Sequence, residues 1–431
     1  MSDDIIHLVG GIDVGNGYVK ALVADSDLEG TDAIDEIDMP SAVVSTSRSV
    51  PKVPVPDEAA LAQLGDGPEG DDFYNRLDAS LTTPLVAVGD RRIYGRAALS
   101  FRGSKFTEFE VLSTHSKADQ ELSKVLVLGV FAAKALRDHV RVHGSLPDHE
   151  LSVQVRAGLA LPITEYVARR AAYAAEFTGS VHLVTIKNFA TPVSVRLRFT
   201  DVQVMAEGAS AQFAITDKGE PLAALLLADL RSREPGALEG VTAADLVAVQ
   251  NTVGVDVGEG TTNFPCFSAG RFNAEASATL DSGYGTALIN AMERMSESDR
   301  TLAFSSRKQL ADFLAHRPSP LQRGRWDRAQ GYVIEESHYL VSEIVSAFTD
   351  VLAQAGATTE AVYVYGGGAG PIKEMLHPAL LEAAGDIPVL YLDSRYSRHL
   401  NREGLYLMAS ALRRAATTKK GSSRKNDPVA A

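Results

Sequence analysis

The run Val253-Gly254-Val255-Asp256-Val257-Gly258-Glu259-Gly260-Thr261-Thr262-Asn263 decides how this chain is read. A short apolar segment ends in an aspartate, a glycine-rich turn follows, and a second apolar segment, Phe264 to Phe267, leads away. The same pattern stands near the start, as Leu8-Val9-Gly10-Gly11-Ile12-Asp13-Val14-Gly15-Asn16-Gly17-Tyr18-Val19-Lys20. Either copy alone also fits an ordinary hairpin with an Asp/Gly-rich turn. Two copies, each with Asp-Val-Gly after an apolar lead, point to two facing halves that grip one ligand.

A tight turn between strands leaves several backbone N–H groups pointing into the loop, and that concavity favours an anion. Gly15, Gly17, Gly258 and Gly260 are expected to supply positive φ and close backbone approach to phosphate. Asp13 and Asp256, at their strand ends, can hold the waters of a Mg²⁺ ion, which keeps most of its hydration. Lys20 can place a point charge on a phosphate oxygen, and the Thr261 and Thr262 hydroxyls can donate hydrogen bonds. No Gly-Lys-Ser/Thr follows either turn, so the pattern is not a P-loop.

Composition bounds the class. The 431 residues predict two or three domains. With 45% hydrophobic and 23% charged residues the chain reads as globular. A net charge of −13 argues against broad nucleic-acid binding by the body of the protein. A nucleic-acid partner then requires an adaptor or a local patch. The single cysteine, Cys266, excludes an internal disulfide and a cysteine metal site, and its apolar setting predicts a buried structural thiol. No apolar run is long enough to span a membrane, and the Met-Ser-Asp-Asp start lacks a signal-peptide pattern, so a cytoplasmic protein without direct membrane contact is expected.

Along the chain, Ile5–Val9 and Tyr18–Ala24 read as strands, 26–38 as a loop, and Met39–Ser45 as a strand. The Pro/Gly/Asp-rich stretch 48–72 reads as irregular, Pro84–Val88 with Arg92–Tyr94 as a hairpin, and Gly95–Leu99 as a short helix. The 3.6-residue apolar period predicts a helix over Asp119–Val142. Strands are expected at Leu151–Ala160, Val181–Ile186, Val193–Phe199 and Asp201–Met205. A helix over Thr164–Phe177 takes Thr164 as its N-cap. Leu222–Leu230, Ser306–His316 and Ile334–Ala355 read as helices, and Ala243–Gln250 as helix or linker. A third motif closes the series: the apolar strand Ala361–Tyr365 runs into Gly366-Gly367-Gly368-Ala369-Gly370. Such a turn offers a flat, side-chain-free surface for a base or ribose, with Pro371 at the first position of the next helix. The final helix is read over Arg398–Ala416 and Thr417–Ala431 as a disordered tail.

Two Asp-Gly hairpins followed by a Val-Tyr-Gly-Gly-Gly turn resemble the actin, Hsp70 and sugar-kinase superfamily, over nearly the whole chain from Ile12 to Gly404. Within it, the opening Gly11-Ile12-Asp13-Val14-Gly15-Asn16-Gly17-Tyr18-Val19-Lys20 looks most like the bacterial plasmid-segregation actins of the ParM type. So do Val88-Gly89-Asp90 with Tyr94-Gly95-Arg96-Ala97-Ala98, and Gly158-Leu159-Ala160-Leu161-Pro162. The closing Asn401-Arg402-Glu403-Gly404 resembles that group's Asn-Arg-Gly helix start, with Glu403 a departure.

The resemblance implies an α/β actin-like fold of two RNase H-like domains around a nucleotide cleft. Domain I would be 1–248 plus 405–416, with an inserted subdomain at about 35–105, and domain II would be 249–404. It implies ATP, or GTP, with Mg²⁺ organised by Asp13 and Asp256. The loop residues Gly15, Asn16, Gly17, Tyr18, Gly258, Glu259, Gly260, Thr261 and Thr262, with Lys20, would hold the phosphates. Gly283 and Gly366, Gly367 and Gly368 would meet the nucleoside. Glu207, before Gly208-Ala209, stands where this family places an acidic residue to position the attacking water, with Gln203 in reserve. The expected function is a filament-forming ATPase that moves or positions plasmid DNA through a DNA-binding adaptor on centromere-like DNA. A metabolite or sugar kinase of the same fold, or a non-polymerising ATP-binding scaffold, are the alternatives.

Overall fold

The computed structural model describes residues 5–28, 33–47, 50–53, 61, 72–87, 91–101, 106–108 and 116–423. The chain divides into two compact units: residues 1–109, 114–206 and 401–431 form the first, and 110–113 with 207–400 the second.

The first unit opens with β1 (Ile6–Val14) and β2 (Tyr18–Asp25), then β3 (Ile34–Pro40), β4 (Ala42–Thr46), β5 (Asp78–Thr82), β6 (Arg91–Tyr94), α1 (Gly95–Leu99) and β7 (Phe106–Glu108). It continues through α2 (Glu121–His143), β8 (Leu151–Leu161), α3 (Ile163–Thr178), β9 (Val181–Ile186) and β10 (Val193–Ala206). The strands make one sheet in the order β3-β2-β1-β8-β10-β9-β5-β6-β4-β7. β1 pairs antiparallel with β2 and parallel with β8, and β8 runs parallel to β10. Strands from the 35–105 region therefore extend the main sheet at both ends, through β2–β3 and β9–β5.

The second unit holds α4 (Ala209–Arg233), α5 (Ala243–Val247), β11 (Thr252–Val257), β12 (Thr262–Ser268), β13 (Arg271–Leu280), α6 (Tyr284–Ser298), α7 (Arg307–Ala315) and α8 (Arg323–Ala355). β14 (Ala361–Tyr365), α9 (Lys373–Ala384), β15 (Val389–Tyr391) and α10 (Ser394–Ser397) complete it, and α11 (Leu400–Ser423) returns to the first unit. Its sheet order is β13-β12-β11-β14-β15. The core of the first sheet, β3-β2-β1-β8-β10, repeats this layout: three antiparallel strands followed by two parallel ones.

Each sheet is finished by a helix from the other half of the sequence. Gly11 and Gly158 face each other in register across β1 and β8. A Cβ on Gly11 would lie 2.1 Å from the Tyr406 backbone N, and one on Gly158 2.3 Å from the Leu405 carbonyl oxygen. These two glycines let α11 lie directly on the strands. In the second unit, Leu222, Leu226 and Leu230 of α4 pack with Tyr363, Tyr365 and Leu390. The second unit's main stretch is accordingly 207–400, which takes in α4, beside the 249–404 expected for domain II.

Other expectations shift for identifiable reasons. The 26–38 loop contains β3, whose inward positions alternate Asp35, Ile37 and Met39. A buried aspartate hid the period. Asp35 is 1% exposed and pairs with Arg137 and, at 3.3 Å, Arg141, while the Tyr74 hydroxyl donates to it at 2.5 Å. The strand opposite β6 is β5 rather than Pro84–Val88. Pro162, not Thr164, is the N-cap of α3. β10 is one strand with an irregularity between Phe199 and Asp201. α4 begins thirteen residues before Leu222, bridging a break at Gly219 (φ 55°, ψ −144°) ahead of Pro221. α8 begins at Arg323 rather than Ile334, and α9 at Lys373 rather than Pro371. α11 passes Ala416 and runs to Ser423. Val88-Gly89-Asp90, most of 48–72, the Met-Ser-Asp-Asp start and 424–431 lie outside the described residues.

Candidate functional site

The two hairpins turn the same way. In the first unit the Gly15 N–H donates to the Tyr18 carbonyl at 3.0 Å; in the second the Gly258 N–H donates to the Thr261 carbonyl at 2.9 Å. Asp13 sits opposite Lys20 in register, and Asp256 opposite Asn263. Both aspartates are buried, at 9% and 5% exposure. None of Gly15, Gly17, Gly258 or Gly260 has positive φ, contrary to expectation. At Gly15 and Gly258 the need is for space, since a Cβ would stand 3.0 Å from the Tyr18 oxygen and 2.9 Å from the Thr261 oxygen.

In the first unit, the turn is braced by a residue the sequence did not single out. Buried Ser41, between β3 and β4, donates its hydroxyl to the Gly15 carbonyl at 2.6 Å and its N–H to the Gly17 carbonyl at 2.9 Å. Asn16, Tyr18 and Lys20 are half-buried around it. Asp13 and Lys20, although neighbours across the hairpin, make no ion pair with each other or with any other described residue. A buried carboxylate beside an unengaged lysine fits a hydrated cation and a phosphate oxygen. Gln203 lies on β10 opposite Gly158, its amide donating to Asp201 Oδ1 at 3.4 Å.

In the second unit two segments, 283–285 and 366–368, converge on the turn at Val257–Glu259. The Tyr284 N–H donates to the Gly258 carbonyl at 3.0 Å, the Gly285 N–H to that of Glu259 at 2.7 Å, and the Gly368 N–H to that of Val257 at 2.8 Å. A Cβ on Gly283 would stand 2.7 Å from the Gly258 oxygen, and one on Gly368 2.6 Å from it. Gly366, at φ 95°, would place a Cβ 2.4 Å from the Val257 oxygen and 2.5 Å from Asp256 Oδ1. Gly366 and Gly368 are thus glycine because they close on the second hairpin. Of the three, Gly367 is the one exposed to solvent. Glu259 is tied to Arg307 at the start of α7, Nε to Oε1 at 2.5 Å.

Thr262 departs from its expected role. It is fully buried, and its hydroxyl donates to the Ser282 carbonyl at 2.8 Å. Thr261 stays half-buried at the turn.

Glu207 is buried beside the second hairpin. The Asn263 amide donates to its Oε2 at 3.3 Å, and the Thr279 hydroxyl donates to Asn263 Oδ1 at 2.8 Å. The next residue, Gly208, has φ 77°, would place a Cβ 3.2 Å from Asp256 Cβ, and has its carbonyl held by the Tyr365 hydroxyl at 2.9 Å. Burial, then the nearby Asp256 carboxylate, drives the Tyr365 hydroxyl well above its ordinary pKa, so it remains a donor. Asn263 and Tyr365 stood inside the quoted motifs without a role; nothing in their spacing shows that they reach Glu207 and Gly208. Cys266 is buried as expected, and burial pushes its thiol up to about 12.

Among the described residues no three His, Cys, Asp or Glu side chains form a metal-binding group, and no helix is long and apolar enough to cross a membrane. The acidic side chains at each hairpin suit an ion brought with its ligand rather than a protein-only cage.

Two units of this layout, each with its glycine hairpin, define the actin-like fold. Residues 11–209 match the family "Actin like proteins N terminal domain". No curated protein sequence matches it. Among solved structures, the actin-like protein Alp7A superposes with a TM-score of 0.62 at 16% identity, over 97% of this chain and 99% of that one. The ParM filament from Clostridium botulinum gives 0.59 at 13%, over 94% and 100%. An archaeal actin homologue in complex with ADP gives 0.56 at 14%, over 94% and 99%.

Proposed function

We propose that the chain is a ParM-type, filament-forming ATPase that moves or positions plasmid DNA in the cytoplasm through a DNA-bound adaptor. The observation that carries this is the one hairpin geometry built twice, each time with a buried aspartate at the strand end. The likeness to a ParM filament and to an actin homologue holding ADP supports it.

In this reading the amides of residues 16–18 with Lys20 in the first unit, and those of residues 259–261 in the second, each take phosphate oxygens. Asp13 and Asp256 hold the waters of Mg²⁺. Gly367 meets the nucleoside. Mg²⁺ supplies charge neutralisation at the transferring phosphoryl group when it is bound with the nucleotide. Glu207 accepts a hydrogen bond from the attacking water, its carboxylate aimed by Asn263; Gln203 is the reserve for that role. Hydrolysis then rests on positioning, which suits slow turnover. Nucleotide state biases which conformation, and hence which subunit contact, is favoured.

The test is right-angle light scattering against protein concentration, with Mg-ATP, Mg-GTP or no nucleotide. A rise above a sharp critical concentration, absent without nucleotide, is expected. A flat trace from protein that binds ATP refutes assembly. Asp256→Ala is expected to abolish Mg-dependent phosphate release while shifting the melting temperature little. Wild-type hydrolysis by that variant refutes the site.

A further inference from the structure

Two surfaces of the second unit are not used by the nucleotide site. The first is the turn from α7 into α8. Leu321 is 94% exposed. Around it stand Arg317, Arg323 and Arg325, all exposed and without an ion pair among the described residues. The turn is held in shape: the Gln322 N–H donates to the Ser319 carbonyl at 2.9 Å, and Trp326 Nε1 donates to the Leu314 carbonyl at 3.3 Å. Pro318 and Pro320 restrict it further. A held apolar tip ringed by arginines is a preorganised knob, which loses little freedom on docking.

The second surface is a groove between α4, α5 and the ends of β11 and β12, lined by Phe213, Val247, Val249 and Phe267. Phe213 and Val247 are 44% and 39% exposed. Thr252, also lining it, is 2% exposed and its hydroxyl has no partner. A smaller pocket that shares Gln212, Thr216, Val247 and Val249 with the groove reaches Gly219, and Asp217 and Glu220 flank that break as exposed carboxylates without an ion pair among the described residues.

We propose that the 317–325 knob of one copy docks into the α4–α5 groove of a second copy. The apolar tip matches Phe213, Val247, Val249 and Phe267, and three unpaired arginines match the two unpaired carboxylates that follow the groove residue Thr216 on α4. A duplex nucleic acid would match the arginines but would leave Leu321 uncovered and face a chain of net charge −13. Because knob and groove are different surfaces, the contact is heterologous and propagates unless the rotation closes a ring. The inference names the interface for the assembly reading above and rests on it.

The test compares wild type with Leu321→Glu, Val247→Glu and a 1:1 mixture of the two, by pelleting and analytical ultracentrifugation in Mg-ATP. Both positions are exposed, and nucleotide binding checks that each variant is folded. Each variant alone is expected to raise the critical concentration at least about tenfold. The mixture is expected to form dimers but no polymer, since one partner keeps its knob and the other its groove. Wild type that fails to assemble overturns the assembly reading itself. Wild type that assembles alongside either variant at an unchanged critical concentration overturns only the interface, as does a mixture that stays monomeric. Duplex DNA binding that is lost in Arg323→Glu, with pelleting unchanged, assigns the knob to nucleic acid instead.

Discussion

Replacing Asn263 by aspartate tests the proposed water-positioning role of Glu207 most directly. The change is nearly isosteric, and the Thr279 hydroxyl can still donate to one oxygen as it does at 2.8 Å to Asn263 Oδ1. That bond keeps the other oxygen facing Glu207, where the amide nitrogen now stands 3.3 Å from Oε2. A donor becomes a second carboxylate. Two unit charges at that distance repel by about 5 kcal/mol at an effective dielectric constant near 20. The pair escapes that repulsion by keeping one proton, which disfavours the ionised form of Glu207. In the proposed role an ionised Glu207 accepts the hydrogen bond from water. The acid limb of kcat is therefore expected to move to higher pH, with kcat at neutral pH down by about tenfold or more and the nucleotide KM unchanged. Asn263→Ala, which removes the bond without adding charge, is expected to lower kcat and to move the limb in the same direction by less. The assay is phosphate release across a pH series for the three proteins. An aspartate variant with wild-type kcat and an unmoved limb refutes the assignment of Glu207.

Three further outcomes follow from the packing. Gly11→Ala puts a Cβ 2.1 Å from the Tyr406 backbone, where no side chain can yield. It is expected to cost about 1–3 kcal/mol, toward the upper end, and to expose α11 to hydrogen exchange in the native state; unchanged protection would count against the helix lying on β1. Asp35→Ala leaves Arg137 buried without its carboxylate, and denaturant unfolding is expected to show a loss of about 3–5 kcal/mol. The Cys266 thiol is raised from 9.0 to about 12, so above pH 9 the unfolded chain ionises it and the folded chain does not. That contribution to stability is full below pH 9 and erodes toward pH 12 by about 1 kcal/mol per pH unit. Cys266→Val is expected to show a shallower alkaline loss in equilibrium unfolding, and identical slopes would disprove the buried-thiol account.

The two hairpins were legible because a turn is a local event. Asp-Val-Gly after an apolar lead requires little beyond its own neighbours, and β1–β2 and β11–β12 fall where the pattern places them. The α2 and β8 segments were equally readable from their apolar periods. The 26–38 stretch was misread because β3 turns Asp35 inward, where an apolar residue would mark a strand. Its partners Arg137 and Arg141 lie about a hundred residues away in sequence.

Residue order alone specified the hairpins, the glycine turn at 366–368 and the expectation of an actin-like fold, since each rests on short-range backbone geometry. Tertiary structure alone decided which glycines serve packing rather than ligand approach. It also turned the Thr262 hydroxyl inward, brought Ser41 to the first turn, and set Asn263 and Tyr365 against Glu207 and Gly208. It exchanged α4 and α11 between the two halves of the chain. Those outcomes depend on contacts between segments far apart in the chain. A contact of that kind is set by the shape and burial of both partners, which no local pattern records.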